Sequence, residues 1–203
     1  MFLHLVRMRT NKKRATGISR DARCRRIILD CALDQVSKFG FRAVSVESIA
    51  EATGVAKTTI YRRWPNKAAI VMDGFMDRVH AGTLFKPQAT ILKSVRLQMR
   101  TMARAFRGED GAMIRSLLAE AQFDNELAAA LRDRWTLPRR KMALGIFQEA
   151  VRRGELRPDI DLEAAIDLLY APMYYRLQMG IAPLTDAYID AIFNMVMKGI
   201  AAA

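Results

Sequence analysis

Residues 45–67 read SVESIAEATGVAKTTIYRRWPNK, and the interpretation of this stretch decides the fold. Ser45 is a good N-cap for a helix beginning at Val46, because its hydroxyl can accept from a first-turn N–H. Glu47 then sits where the helix dipole favours an anion. Val46, Ile49 and Ala50 recur three and four residues apart and share one face. Gly54 stands four residues beyond Ala50, and a glycine there permits the tight left-handed turn between two helices. Val55 plugs the angle, and residues 56 to about 63 form a second helix with Ile60 facing inward. Small Ala50, Gly54 and apolar Ile60, at spacings of four and six, are what a close helix crossing requires. The pattern is that of a helix-turn-helix.

With Ile60 inward, the second helix displays Lys57, Thr58, Thr59, Tyr61 and Arg62 at or near its outer face. These residue types suit a major groove. Threonine hydroxyls bond to bases or phosphates and their methyls touch thymine, lysine and arginine reach phosphate or guanine, and tyrosine offers its hydroxyl to phosphate. Lys67 opens the next helix, where a cation and free backbone N–H groups can jointly hold phosphate. Trp64 reads as a packing residue at the corner. Spacing alone is also compatible with an ordinary helical hairpin carrying a solvated basic face.

Charge favours the first reading. The 203-residue chain carries a formal net charge of +12, unevenly distributed. Residues 1–67 hold 15 Lys/Arg against 5 Asp/Glu, whereas residues 68–203 hold 18 against 16. A basic segment joined to a nearly neutral one is the electrostatic footprint of a polyanion-binding domain. About half the residues are apolar and the mean hydropathy is near zero, as in a soluble globular protein. No run approaches the roughly 18 apolar residues of a membrane helix, and MFLHLV at the start is too short for a signal-peptide core and precedes its positive charges. A cytoplasmic protein without membrane association is expected. Cys24 and Cys31 lie two helical turns apart, roughly 10 Å, too far for a disulfide. With only His4 and His80 as histidines, no metal cluster is expected. The absence of a Ser-His-Asp arrangement and of a Gly-rich phosphate loop leaves little for catalysis, and no cofactor is expected.

The chain divides into three segments. Residues 1–19 read as a disordered basic arm, compatible both with an arm that wraps onto DNA and with a translation-start extension. Residues 20–66 form the helix-turn-helix domain. Its first helix starts near Ser19 or Arg20, repeats Ile28, Ala32, Val36 and Phe39 on one face, and ends at a left-handed Gly40 cap. Residues 67–203 form a helical bundle, with helices expected after Asn66 and at roughly 89–106, 112–123, 126–153, 161–180 and 185–200. Pro138 should kink or divide the longest of these. No alternating strands or hairpin signals occur, so the fold class is all-α, with about nine helices.

The stretch GISRDARCRRIILDCALDQVSKFGFRAVSVESIAEATGVAKTTIYRRWPNKAAIV, about a quarter of the chain, resembles the N-terminal domain of the TetR family of bacterial transcriptional regulators. More loosely, GELRPDIDLEAAIDLLYAPMYYRLQMG at 154–180 is similar to that family's C-terminal domain. The resemblance implies a homodimeric repressor in which a small molecule bound in the core domain moves the fourth helix and spreads the two DNA heads. It also implies DNA contacts at Ser45, Lys57, Thr58, Thr59, Tyr61 and Lys67, with Tyr61 and Lys67 as phosphate clamps. Arg62 stands where the family often has arginine, and Trp64 replaces its more usual phenylalanine.

In the bundle, Phe75, Met76, Met102, Phe106, Met113, Phe123, Met142, Phe147 and Tyr174 sit at helical spacing and are the candidates to line a pocket for an unidentified apolar or amphipathic effector. Taken singly, each reads more readily as plain core. Twelve methionines add some weight, because methionine adapts to varied apolar ligands. Arg176 and Asp167 are charges in an apolar helix, compatible with a pocket, a dimer seam or solvent. The last two helices carry broad apolar faces: Ile166, Leu169, Tyr170, Met173 and Leu177, then Ile189, Ile192, Phe193 and Val196. Such a terminal pair points to an intersubunit four-helix bundle, hence a two-fold dimer on a palindromic double-stranded DNA operator. An effector-independent DNA-binding protein whose bundle only dimerises is the alternative.

Overall fold

The computed structural model describes residues 20–83, 85, 86 and 88–200. The basic arm expected over 1–19 lies outside them. The first helix, α1 (Arg20–Phe39), buries Ile28, Leu29, Ala32, Leu33 and Val36 along one stripe. Each of its larger aliphatic side chains contributes about 1.5–3 kcal/mol relative to exposure. Gly40, at φ 79°, ends it in the left-handed conformation. Helices α2 (Val46–Thr53) and α3 (Lys57–Tyr61) follow, then α4 (Lys67–Thr83). Helix α4 crosses α1 closely at Gly74, where a Cβ would sit 3.1 Å from Leu33 Cγ and 3.2 Å from the Leu29 carbonyl oxygen. It packs against both α1 and α5 (Ile91–Ala105), so the expected 66/67 boundary falls at the start of a helix shared by both halves.

Helix α5 is capped by Thr90, and the Glu155 carboxylate accepts from the Ile91 and Leu92 N–H groups, both at 3.0 Å. Next comes α6 (Glu109–Glu120), three residues earlier than the expected 112–123. The stretch RGEDG at 107–111, which falls between the expected helices 89–106 and 112–123, is partly helical: Gly108 is the N-cap, and Glu109 and Asp110 form an acidic first turn favoured by the helix dipole. Gly111 presses on the preceding corner so closely that a Cβ would overlap the Phe106 carbonyl.

The run expected over 126–153 is one unbroken helical path made of α7 (Asn125–Ala130), a π-helical segment (Leu131–Thr136) and α8 (Leu137–Arg152). Pro138 accounts for the disturbance. It lacks an N–H and its ring crowds the carbonyl four residues back, so the turn before it widens. Helix α9 (Leu162–Met179) carries Pro172 in its interior without breaking, and ends at left-handed Gly180. Helix α10 (Asp186–Ile200) packs on α9 and α5. Counting 125–152 as one, nine helices form among the described residues, with no β-sheet there. No described helix is long and apolar enough to cross a membrane.

Candidate nucleic-acid interface and internal cavity

The head is built around Ser45 and Ser48. Ser45 Oγ accepts from the Ser48 N–H at 3.0 Å, and the Ser45 N–H donates to Ser48 Oγ at 3.1 Å, a reciprocal cap in which a second serine takes the usual Glu or Gln role. Ser48 Oγ also donates to Gln35 Oε1 at 2.7 Å, and Gln35 Nε2 donates to the Ser48 carbonyl at 3.2 Å. This pins α2 to α1 by a polar link that periodicity cannot reveal. Gly54 caps α2 at φ 67°, left-handed as the spacing required.

Helix α3 is shorter than the expected 56 to 63, and Ile60 is its buried residue, at 0% exposure. Lys57, Thr58, Tyr61 and Arg62 are exposed and Thr59 is half-buried, so one edge of the helix presents the whole set. Lys57 lies 3.6 Å from Glu47 in a solvent-exposed pair. Arg63 turns away, pairs with the Asp21 carboxylate and donates to the Asp21 carbonyl at 3.4 Å, fastening α3 to α1.

Lys67 departs from its expected role as a phosphate clamp. Its Nζ donates to the carbonyls of Val44 (2.8 Å), Phe41 (3.0 Å) and Arg42 (3.3 Å), and lies 4.5 Å from the Phe41 ring centroid. An ammonium has three protons, and this geometry directs them into the 41–44 loop. Lys67 therefore staples that loop. The first turn of α4 is capped instead by Asn66, whose Oδ1 accepts from the Ala69 N–H at 2.9 Å.

Two bridges join the head to the body. Trp64 is buried, as expected of a packing residue, and its Nε1 donates to Asp73 Oδ2 at 2.8 Å. The other oxygen of Asp73 accepts from Arg134 Nη1, in the π-helical segment, at 2.5 Å. Arg42 reaches Glu120 at the end of α6, also at 2.5 Å, and lies 5.6 Å from the Phe123 ring centroid.

The residue beside Arg134, Trp135, lines a cavity of about 440 Å³ between α5, the π-helical segment, α8 and α9. Of the nine candidate pocket residues, Met102, Met142 and Tyr174 line it. The other six do not. Phe75 and Phe106 are buried behind the wall, with ring centroids 5.1 Å and 6.5 Å from Trp135. Met113 and Phe147 belong to the core, and Met76 packs against it half-buried. Phe123 is 80% exposed beneath Arg42. The lining that periodicity missed is more polar: Gln98, Trp135, Arg139 and Tyr170. Tyr170 donates to Gln98 Oε1 at 2.7 Å and Trp135 Nε1 donates to the Tyr174 hydroxyl at 2.9 Å. Burial raises the pKa of both phenols, so they stay neutral donors. The Arg139 guanidinium carbon lies over Trp135, 3.4 Å from the ring centroid, and burial lowers the pKa of Arg139. Arg140, at the mouth, pairs with Asp167 and Glu163. That assigns Asp167; Arg176 instead stacks on Tyr188 and donates to the Pro183 carbonyl at 3.2 Å.

The expected dimer seam also needs correcting. Leu169, Met173, Leu177, Ile189, Ile192, Phe193 and Ile166 are buried inside the protomer, Ile166 and Tyr170 line the cavity, and Val196 packs half-buried against the core. The broad apolar stripe of each terminal helix faces its own bundle. A second, narrower stripe is exposed: Leu168 and Met179 on α9, with Ala187, Ala191 and Met195 on α10, and with Ala171 and Tyr175 at its border with the cavity mouth. Leu168, Met179 and Met195 are 60%, 61% and 69% exposed.

These features agree with what the chain is similar to. Residues 28–72 match the family model described as bacterial regulatory proteins, tetR family, and residues 90–196 match the tetracyclin repressor-like C-terminal domain. The uncharacterized HTH-type transcriptional regulator YdeS of Bacillus subtilis is 34% identical over 92% of this chain and 94% of its own length. The DNA-binding transcriptional repressor TetR of Mycobacteroides abscessus is 30% identical over 84% of this chain and 90% of its own. Among solved structures, the TetR family transcription regulator SCO0332 superposes with a TM-score of 0.74 at 28% identity, covering 87% of this chain and 97% of that one. With a helix-turn-helix head, an all-helical body and both domain models matched in order, this chain belongs to the TetR family of DNA-binding transcriptional regulators and is not an enzyme.

Proposed function

We propose that the protein is a dimeric repressor that binds a palindromic operator through α3 and leaves it when a small molecule occupies the cavity. The observation that carries the DNA-reading half is the presentation of α3, with Ile60 fully buried and Lys57, Thr58, Tyr61 and Arg62 exposed beside Thr59. Thr58 and Thr59 face base edges, while Lys57, Tyr61 and Arg62 grip the backbone or guanine. Ser45 joins them, since its Oγ accepts from Ser48 and keeps its own proton to donate to phosphate. The outward stripe of α9 and α10 forms the two-fold seam, its alanines letting helices approach and Leu168, Met179 and Met195 filling the contact.

The cavity argues against the effector-independent alternative. About 440 Å³ lies within the roughly 300–1,000 Å³ of small-molecule sites. Its wall also touches the route to DNA. A ligand that displaces Trp135 displaces its neighbour Arg134, and with it the Asp73 pair that holds Trp64 between α3 and α4. A gel shift with DNA upstream of the protein's own gene, run across a salt series, tests the reading. The expected result is a salt-dependent shift and a symmetric footprint. A salt-insensitive shift, or none, would sink it. Substituting Thr58 or Thr59 should change the preference between sequences, whereas Tyr61→Phe should weaken all of them alike.

A further inference from the structure

We propose that Lys67 serves DNA binding as a positioning residue: without touching phosphate, its ammonium fixes the 41–44 loop and, through it, the donor hydroxyl of Ser45. This rests on the reading above in which Ser45 donates to phosphate, and adds the residue that aims it.

The first argument is the count of protons. An ammonium has three and no acceptor. Lys67 Nζ has three carbonyls within hydrogen-bond distance, those of Val44, Phe41 and Arg42, at 2.8, 3.0 and 3.3 Å. The Phe41 ring centroid, 4.5 Å away, adds a cation–π contact. A phosphate oxygen arriving here would have to displace one of these acceptors and leave a loop carbonyl without that donor. Nor is the first turn of α4 left open for an anion, since Asn66 Oδ1 already accepts from the Ala69 N–H at 2.9 Å. The set also suits lysine in particular. Three convergent carbonyls match a compact ammonium on a flexible stem, whereas the planar fork of arginine cannot turn three N–H groups towards one point.

The second argument is where the loop leads. Phe41 and Val44 are buried and seat the loop in the core of the head. Ser45 follows Val44 directly, so the carbonyl nearest to Lys67 Nζ belongs to the peptide unit that joins Val44 to Ser45. That unit is planar, and fixing its oxygen fixes the Ser45 nitrogen as well. The same Ser45 N–H donates to Ser48 Oγ at 3.1 Å. On the far side, Ser48 Oγ donates to Gln35 Oε1 at 2.7 Å and Gln35 Nε2 donates to the Ser48 carbonyl at 3.2 Å. Ser45 therefore stands between two anchors from other helices, Lys67 of α4 before it and Gln35 of α1 behind it. Loss of the first frees the chain that enters α2 and lets the Ser45 hydroxyl turn from its phosphate.

The test is fluorescence anisotropy of the full-length protein with a labelled mixed-sequence duplex of about 30 base pairs across a salt series. Phosphate contacts do not depend on sequence, so the outcome is separate from that of the operator experiment. Lys67→Met and Ser45→Ala should each weaken binding about fivefold, the loss of one hydrogen bond, and the double variant should be no weaker than either. The salt slope of Lys67→Met should match the wild type, whereas loss of a phosphate contact lowers it by roughly 0.9. Lys67→Arg should not restore full affinity. Losses that multiply in the double variant, a slope lowered by about one, or full affinity in Lys67→Arg would overturn the proposal and make Lys67 a clamp. A lower thermal midpoint with unchanged affinity of the folded Lys67→Met protein would overturn it in favour of stability alone. Unchanged affinity in Ser45→Ala would overturn it together with the Ser45 contact, leaving the reading by α3 intact. Should Lys67→Met not fold, reductive methylation of the wild type decides. Lys67 should react slowly with or without DNA, while exposed Lys57 reacts fast and is protected by DNA. A Lys67 as reactive as Lys57 and equally protected by DNA would overturn the proposal.

Discussion

On α3, cations stand at the surface with little to hold them: Lys57 is 3.6 Å from Glu47, and Arg62 makes no ion pair among the described residues. Between α5 and α10 the same residue types are used up internally. Arg96 and Arg100 converge on Asp190, while Arg104 and Arg107 converge on Asp186. The two regions differ in what completes their electrostatics. The body closes its own charges and uses them to tie one helix to another. The reading edge of α3 leaves them for a partner that is not part of the chain, whereas elsewhere in the head Arg25, Arg42 and Arg63 pair with carboxylates.

The largest expected effect strikes the body alone. Gly111→Ala forces a Cβ into the Phe106 carbonyl at the α5–α6 corner and should cost about 3 kcal/mol or more. A chemical melt reads it, and an unchanged midpoint would mean the corner is not close-packed. The next strikes the head alone. Lys57→Ala combined with Arg62→Ala should weaken operator binding roughly ten- to hundredfold and lower the salt slope by about two, with the thermal midpoint nearly unchanged. A large loss of stability would show that these side chains hold the fold rather than DNA.

Smaller effects probe the join. Trp64→Phe keeps the buried ring but deletes the bond to Asp73; it should cost on the order of 1 kcal/mol. It should also reduce the loss of operator affinity that a cavity ligand produces. An effector response of full size in this variant would break the proposed route. The smallest concerns pH. Hydrogen bonds from Arg96 and Arg100 hold the Asp190 carboxyl far below its usual range, and a hydrogen bond from Arg104 lowers that of Asp186. A depressed folded pKa contributes stability above the unfolded value of about 3.9, lost as pH falls through the folded one. Thermal midpoints should therefore be flat near neutrality and fall below about pH 4, less steeply in Asp190→Asn. An identical acid profile in that variant would assign the effect elsewhere.

How much was legible follows from the range of the interactions. The head could be read because its determinants lie within a few residues of one another: the Ser45 cap, the Gly54 turn and inward Ile60 all recur in the structure. Where the head depends on distant partners, reading failed. Nothing near Lys67 announces that its ammonium is taken by carbonyls more than twenty residues earlier. In the body, periodicity located helices but not their outward faces. Each terminal helix has two apolar stripes; the broader one, with Leu169 and Ile189, packs into the protomer core, and the exposed one, with Leu168 and Met195, is too narrow to stand out by periodicity. Cavity residues come from α5, α8 and α9 together, so no single stretch marks them. Trp135 and Arg139 lie at and just beyond a turn where the helical repeat slips by one residue.

That slip makes chain length, rather than residue identity, the sensitive variable between 131 and 136. A π-helical turn accommodates one residue beyond α spacing, and deleting one there lets ordinary spacing resume. The apolar faces of α7 and α8 would keep their neighbours, and the bundle would still close. What would disappear is the widened turn that sends Arg134 towards Asp73 and the adjacent Trp135 into the cavity wall. On the proposed effector reading, a chain one residue shorter at this point should still fold and bind DNA, while its operator affinity ceases to respond to the cavity.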